Sequence, residues 1–374
     1  MSIKVLCLFP RFYIGGVSKA LSFVANCCDS EGWDVYCISM TSEPETIQLN
    51  KDIHRIVIDI REDCTGIKKM FWRAVFMIRL RLKIRAIQPD IIVVFRADLL
   101  KAILYATRRM NVPIIGSERG DPRIYGAKLE EYRRFFNRCS TVVFQTEEAR
   151  DVFQLRRKSV IIPNPSVLRV NQAQTFIQRE GKNIVSAGRL SKEKNFDGLI
   201  NAFAMSKEQL GDSKLIIYGD GPEKGRLEAK VKELQLTDRV LLPGNVKDFT
   251  LEFDGAGVFV LNSLHEGMPN ALIEAMIAGY ACIATDCSGG PLWLSDNGRR
   301  VRLVPVTNDD ALGKAIIDVV NNDAVASELR FNAREIIRIM DPDRIKQLWL
   351  SLIKDTIREK KNEKNCSLFF GRYI

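Results

Sequence analysis

The sequence predicts an α/β protein made of two Rossmann-like domains in tandem, and three observations carry that expectation. Short apolar, β-branched runs alternate with helical stretches throughout, as in parallel sheets covered by helices. At 374 residues the chain exceeds the size at which one hydrophobic core stops growing. The alternation also breaks once near the middle, in a polar stretch without clear period, and then restarts.

In chain order the first strand candidates are IKVLCLF, WDVYCISM, HRIVIDI, DIIVVF, VPIIGSE, STVVFQ and SVIIPN, with helical stretches between most of them. The break follows, and the rhythm resumes with NIVSAG, KLIIYG, RVLLPG, GVFVLN and ACIATD. This places a first domain at 1–165, a linker at 166–182 and a second domain at 183–340. From 341 to 374 the chain reads as an amphipathic helix with a basic tail, expected to pack back onto the first domain.

Composition narrows the class. Apolar residues make up 46% and charged residues 27%, which excludes wholesale disorder. Nine cysteines, scattered and without C-x-x-C spacing, read as reduced thiols filling the core of a cytosolic protein. Two histidines, His54 and His265, are too few for a histidine-built metal centre. The first residues enter a strand pattern rather than a signal peptide, and no apolar run is long enough to span a bilayer. Residues 1–165 hold 27 Lys/Arg against 18 Asp/Glu, whereas 166–374 hold 29 against 28. The excess positive charge thus belongs to the first half, which is expected to meet something acidic.

Ligands of such folds lie beyond the carboxyl ends of strands, where helix N-termini offer free N–H groups to anions. Three loops fit. FPRFYIGGVSKAL leads the first strand through Gly15 and Gly16 into a helix, and paired glycines let backbone approach a diphosphate, although a plain flexible turn is an equal reading. SAGRLSKEKN ends a strand at Gly188 and follows it with Arg189, Lys192 and Lys194, cations suited to a departing diphosphate, against the alternative of a solvated charged loop. HEGMPNALIE precedes a helix expected over 269–278. The N–H groups of Gly267, Met268, Asn270 and Ala271 lie at its positive end, and Glu266 and Glu274 stand eight positions apart, roughly 80° in azimuth. A fourth loop, YGDGPEKG, lacks the G-x-G-x-x-G spacing and reads as a tight turn supporting a helix.

In this order the motifs GG, GRLSKEKN, YGDGPE, PGNV and E-x7-E resemble the family 4 glycosyltransferases, retaining enzymes of the GT-B fold, whose two Rossmann-like domains face each other across a cleft. The resemblance runs over nearly the whole chain and is strongest from 183 to 320. It implies that Arg189 and Lys194 hold the donor diphosphate with help from the backbone of Gly16 and Gly188. Glu274 would bind the ribose hydroxyls, Glu266 would contact the donor sugar near its reacting carbon, and Asn245 and Val246 would border the nucleobase. Gly15, Gly267, Met268, Pro269 and Asn270 complete the donor wall. The implied chemistry is front-face substitution with retention, without metal or cofactor. Many relatives carry a first-domain histidine near the donor sugar; here the corresponding region reads IIGSERGDPR, so Glu118, Arg119 and Asp121 become acceptor-side candidates, with a buried structural ion pair as the competing reading.

Residues 68–87, KKMFWRAVFMIRLRLKIRAI, carry seven cations and no acid among aromatic and aliphatic residues, the composition of a membrane-surface helix; a core helix with solvated cations is the alternative. No nucleic-acid recognition module accompanies them. The combined expectation is a cytoplasmic enzyme, peripheral on the inner face of the cytoplasmic membrane. It would move a hexose or N-acetylhexosamine from a nucleotide sugar, UDP-linked by expectation, to an undecaprenyl-diphosphate-linked glycan in O-antigen, capsule or lipopolysaccharide assembly. A GT-B sugar-nucleotide epimerase and an inactive glycan- or lipid-binding scaffold are the rivals.

Overall fold

The computed structural model describes residues 2–10, 16–41, 47–59, 65–165, 180–252 and 255–370. Contacts divide the chain into two compact units, Met1–Pro165 together with Asp343–Ile374, and Ser166–Pro342. Most of the expected linker, up to residue 179, lies outside the described residues.

The first unit runs β1 (Lys4–Phe9), α1 (Gly16–Ser30), β2 (Asp34–Ser39), β3 (His54–Val57), α2 (Gly66–Ile87), β4 (Ile91–Phe95), α3 (Ala97–Ala106), β5 (Ile114–Ser117), α4 (Lys128–Phe136), β6 (Thr141–Phe144), α5 (Glu147–Phe153) and β7 (Ser159–Ile161). The seven strands pair in parallel in the order β3-β2-β1-β4-β5-β6-β7. Helices on both sides bury both faces, so β4 and β6 are apolar and buried at every position rather than alternating. Along β1 the pleat sends Val5, Cys7 and Phe9 into one core and Leu6 and Leu8 into the other.

The second unit runs β8 (Asn183–Ala187), α6 (Phe196–Ser206), β9 (Leu215–Tyr218), α7 (Lys224–Glu233), β10 (Val240–Gly244), β11 (Ala256–Leu261), α8 (Asn270–Ile277), β12 (Ala281–Thr285), α9 (Gly289–Ser295), β13 (Arg302–Val304), α10 (Asp309–Asn321), α11 (Asp323–Ala333) and α12 (Glu335–Ile339). Its parallel sheet has the order β10-β9-β8-β11-β12-β13. The strand β13 is absent from the sequence expectation: it is three residues long, begins on an exposed arginine and closes one edge of the sheet. In both sheets the winding direction reverses beside the first strand, between β1 and β4 and between β8 and β11, and those switch points are where such folds bind ligands.

The last helix, α13 (Pro342–Phe370), belongs to the first unit. Ile345, Trp349, Ile353 and Ile357 recur every four residues and enter the core beside α1 and β1. The Trp349 ring stacks on Phe95 at 5.6 Å and is 1% exposed. Replacing it by alanine should cost about 3–5 kcal/mol, through lost burial and the cavity left behind. Chemical denaturation reads this directly, and an unchanged midpoint would contradict the docking. Cys7, Cys27, Cys28, Cys37, Cys139, Cys282 and Cys287 are buried and unbridged, and burial pushes the Cys139 thiol up to about 12.

Candidate active site

Two of the loops that the motifs singled out in the second unit flank its switch point. The loop after β8 carries Gly188, Arg189, Lys192 and Lys194; the loop after β11, the neighbouring strand, carries Glu266 and Gly267. Lys194 closes a 3-10 turn, and Asn195 follows in the left-handed region at φ 47°, where its side chain accepts the Gly198 N–H and starts α6. From there Lys194 passes Gly188, whose missing side chain leaves its Cδ and Cε 3.7 Å from where a Cβ would stand, and its Nζ meets Glu266 Oε1 at 2.5 Å.

That ion pair is only partly exposed, 24% for Lys194 and 11% for Glu266. Glu266 Oε1 also accepts the Ser263 hydroxyl at 2.7 Å. Two further bonds tie the loops together: Leu264 N–H to the Glu193 carbonyl at 2.8 Å, and the Asn262 amide to the Asn195 carbonyl at 2.9 Å. Arg189 and Lys192 are exposed beside them. A carboxylate and an ammonium thus meet at one strand-end, and the loop that brings the ammonium also carries an exposed guanidinium, a set of groups able to hold a phosphorylated ligand while presenting a carboxylate.

The helix expected over 269–278 is α8, Asn270–Ile277, with Pro269 at its N-cap and no side-chain cap bond. Its N-terminal end carries the positive pole of the helix dipole, and the Leu272 and Ile273 N–H groups donate to the Pro269 carbonyl. Met268 and Pro269 are buried, and the Met268 side chain belongs to the core, so only its backbone can border a ligand. Glu274 is half-buried about one turn into the helix. Asn245 and Val246 follow β10 directly after Gly244 (φ +93°), Asn245 exposed and Val246 packed at the core edge.

The YGDGPEKG loop turns into α7, as its spacing suggested, and its glycines have a second role. Gly219 sits at φ +141°, and a Cβ there would stand 1.8 Å from the Gly188 carbonyl oxygen; at Gly221 it would stand 2.4 Å from that of Leu190. Gly188 N–H donates to Tyr218 and Leu190 N–H to Asp220, so these glycines let the loop after β9 close onto the loop after β8. Ser263 and Thr285, whose hydroxyl donates to the Ser263 carbonyl at 2.6 Å, are site residues that the sequence reading did not single out.

In the first unit, Gly15 lies outside the described residues and Gly16 opens α1. Glu118, Arg119 and Asp121 follow β5, all buried. They form no simple ion pair, because their charged ends take different partners. Glu118 Oε1 accepts the N–H groups of Arg119 and Gly120 at 2.8 and 2.9 Å and the Tyr125 hydroxyl at 2.8 Å. Burial raises the Glu118 carboxyl above the usual carboxylate range, and its Oε2 is buried without a hydrogen-bond partner. The Arg119 guanidinium donates to the Ile162 carbonyl and to Asn164 Oδ1 and lies 4.5 Å over the Phe95 ring; burial lowers it to about 9. Asp121 caps the turn Pro122–Tyr125 and holds Arg123.

Two family models match successive parts of the chain: Glycosyltransferase Family 4 over residues 14–166 and Glycosyl transferases group 1 over residues 169–336. The chain belongs to the family 4 glycosyltransferases. One relative of this glycosyltransferase, 24% identical over 94% of the chain and 99% of its own length, is the GalNAc-alpha-(1->4)-GalNAc-alpha-(1->3)-diNAcBac-PP-undecaprenol alpha-1,4-N-acetyl-D-galactosaminyltransferase of Campylobacter jejuni. Among solved structures, sucrose-phosphate synthase from Thermosynechococcus elongatus superposes with a TM-score of 0.80 at 18% identity, over 96% of this chain and 100% of that one. Anabaena HepE in complex with UDP and glucose gives 0.79 at 18% identity, over 94% and 99%. The glycosyltransferase therefore has the GT-B fold, two Rossmann-like domains each with its own parallel sheet.

Proposed function

We propose that this glycosyltransferase works with retention, moving a hexose or N-acetylhexosamine from a UDP-sugar to an undecaprenyl-diphosphate-linked glycan in bacterial surface polysaccharide assembly. The observation that carries the reading is the Lys194–Glu266 pair at the switch point, with exposed Arg189 on the same loop as Lys194. In this reading Arg189, Lys194 and the N–H groups of Gly267 and α8 take the diphosphate, Glu274 takes the ribose, and Asn245 and Val246 border the base. Gly188 supplies backbone. Glu266 faces the sugar, where positive charge develops on the reacting carbon as the bond to the diphosphate lengthens. Front-face attack lets a departing phosphate oxygen accept the acceptor's proton, so no enzymic base is required, and the two cations supply the charge that a metal would otherwise bring.

Support for the acceptor is the printed activity of the Campylobacter relative, which acts on a diphospho-undecaprenol glycan, and for the nucleotide the UDP held by HepE. The acceptor falls to the first unit in this reading. Glu118 and Asp121 there hold the loop after β5 in shape, and Arg119 anchors it to β7, rather than each touching the acceptor.

A thermal-unfolding screen of UDP- and GDP-sugars tests the reading. A ligand at 100 times its Kd stabilises by about 2.7 kcal/mol, a shift of several degrees. UDP-sugars should give it, and Arg189→Ala should abolish it. Equal protection of the Arg189→Ala variant, or none of the parent chain, would overturn the assignment.

A further inference from the structure

Resting on the donor-site reading above, we propose that the segment joining β12 to α9 is a clamp that positions Glu266, with Thr285 and Gly290 as its two positioning residues. The loop from Ser263 to Gly267 carries Glu266 between β11 and α8. It is held at both ends by the same neighbouring segment, whose base is fixed because β11 and β12 pair in register up to Leu261 and Ala284.

At the near end, Thr285, the last residue of β12 and 1% exposed, donates its hydroxyl to the Ser263 carbonyl at 2.6 Å. Ser263, itself fully buried, donates its own hydroxyl to Glu266 Oε1 at 2.7 Å. A hydrogen-bonded path therefore runs from Thr285 through Ser263 to the carboxylate that also holds Lys194. At the far end, a Cβ on Gly290 would stand 1.8 Å from the Gly267 carbonyl oxygen and 3.1 Å from Pro269 Cδ. No side chain fits there, so the backbone of α9 lies directly against the loop as it turns into α8.

This arrangement matters because Glu266 reaches its place across several rotatable bonds. A carboxylate that must face a developing charge is effective only if it is held there before the charge appears. The clamp supplies that restraint from residues that act through the loop rather than through the carboxylate itself, and it explains why the sequence places a threonine and a paired glycine, ATDCSGGP, after a buried strand.

The test uses the full chain and the UDP-sugar that the thermal screen selects, following UDP release. Thr285→Val removes one hydroxyl, so kcat should fall about five- to tenfold while the donor KM stays within about twofold, and Thr285→Ser should restore it. Thr285→Val placed on Glu266→Gln should have no further effect, since the carboxylate it positions is gone. Gly290→Ala should lower kcat by more than tenfold, roughly, because the loop itself must move. Should that variant not fold, the threonine series decides alone. Unchanged kcat in Thr285→Val, or an equal fall on both backgrounds, overturns the clamp. Full activity of Glu266→Gln would instead overturn the donor-site reading on which it rests.

Discussion

Glu266→Gln should lower transfer by about 10²- to 10³-fold while UDP binds as tightly as before, or more tightly. The amide keeps the size of the side chain and can still accept the Ser263 hydroxyl, so the loop has no reason to collapse. What disappears is the negative charge. In the proposed function that charge faces a sugar carbon turning cationic, and in a partly dried site its loss would be felt strongly. In the nucleotide-binding step the same charge acts against the ligand: Glu266 holds Lys194 at 2.5 Å, so a diphosphate oxygen must compete with a carboxylate for one ammonium. Removing the carboxylate frees Lys194 for phosphate. Lys194→Met should have the opposite profile, losing UDP affinity as well as transfer, and leaving Glu266 without its counter-charge. Steady-state UDP release and calorimetric UDP titration separate the cases. Transfer within about twofold of the parent chain in Glu266→Gln would sink the role given to it.

The opposed signs matter because a structural ion pair makes no such pattern. If Lys194 and Glu266 only held two loops together, neutralising either would weaken nucleotide binding and transfer alike. One variant that binds better and reacts worse is the signature of a group that acts on the transition state.

The strands were legible because parallel sheets buried on both faces need unbroken apolar runs, and IIVVF and TVVF permit little else. The strand β13 was not, since RLV between RRV and PV carries neither length nor alternation, and pairing with β12 supplies what its own residues do not. The site shows the same division. Charged residues in strand-end loops announced themselves, and Lys194 and Glu266, 72 positions apart, do meet. Ser263 and Thr285 did not stand out, because a hydroxyl in NSLHEG or ATDC is ordinary until a neighbouring carbonyl or carboxylate gives it a partner. Gly219 and Gly221 were visible as glycines, yet which backbone they admit depends on how β8 and β9 lie side by side. In SERGDP the order of charges suggested a pair, but the structure directs Glu118 to backbone N–H groups and Arg119 to a carbonyl and two aromatic rings.

Reversing the charge at Arg79, Lys83 and Arg85 should release the protein from vesicles of phosphatidylglycerol and phosphatidylethanolamine. The helix α2 that carries them is apolar on two opposite sides. Phe76, Leu80, Ile84 and Ile87 form a buried stripe against the first unit's sheet. Phe71, Ile78 and Leu82, 60%, 60% and 58% exposed, form a second stripe about 180° away at 100° per residue. Exposed cations flank that outer stripe, Lys68 and Arg79 on one side and Arg85 on the other. One stripe docks the helix on its own sheet, which leaves the other, with its basic margins, in the form of a surface that lies in a lipid headgroup layer. No helix among the described residues is long and apolar enough to cross a membrane. Arg81 is left unchanged in the variant, because its guanidinium donates to the carbonyls of Ala106 and Arg108 at the end of α3 and serves the fold. Each basic residue near an anionic surface contributes about 1 kcal/mol, so three reversals should weaken binding by well over 100-fold at low salt, with thermal stability unchanged. Salt should weaken the parent chain's binding too, though not fully, since Phe71, Ile78 and Leu82 contribute a part that screening does not touch. Flotation with the vesicles reads both effects, and equal flotation of the reversed variant would show that the cations of α2 only meet water.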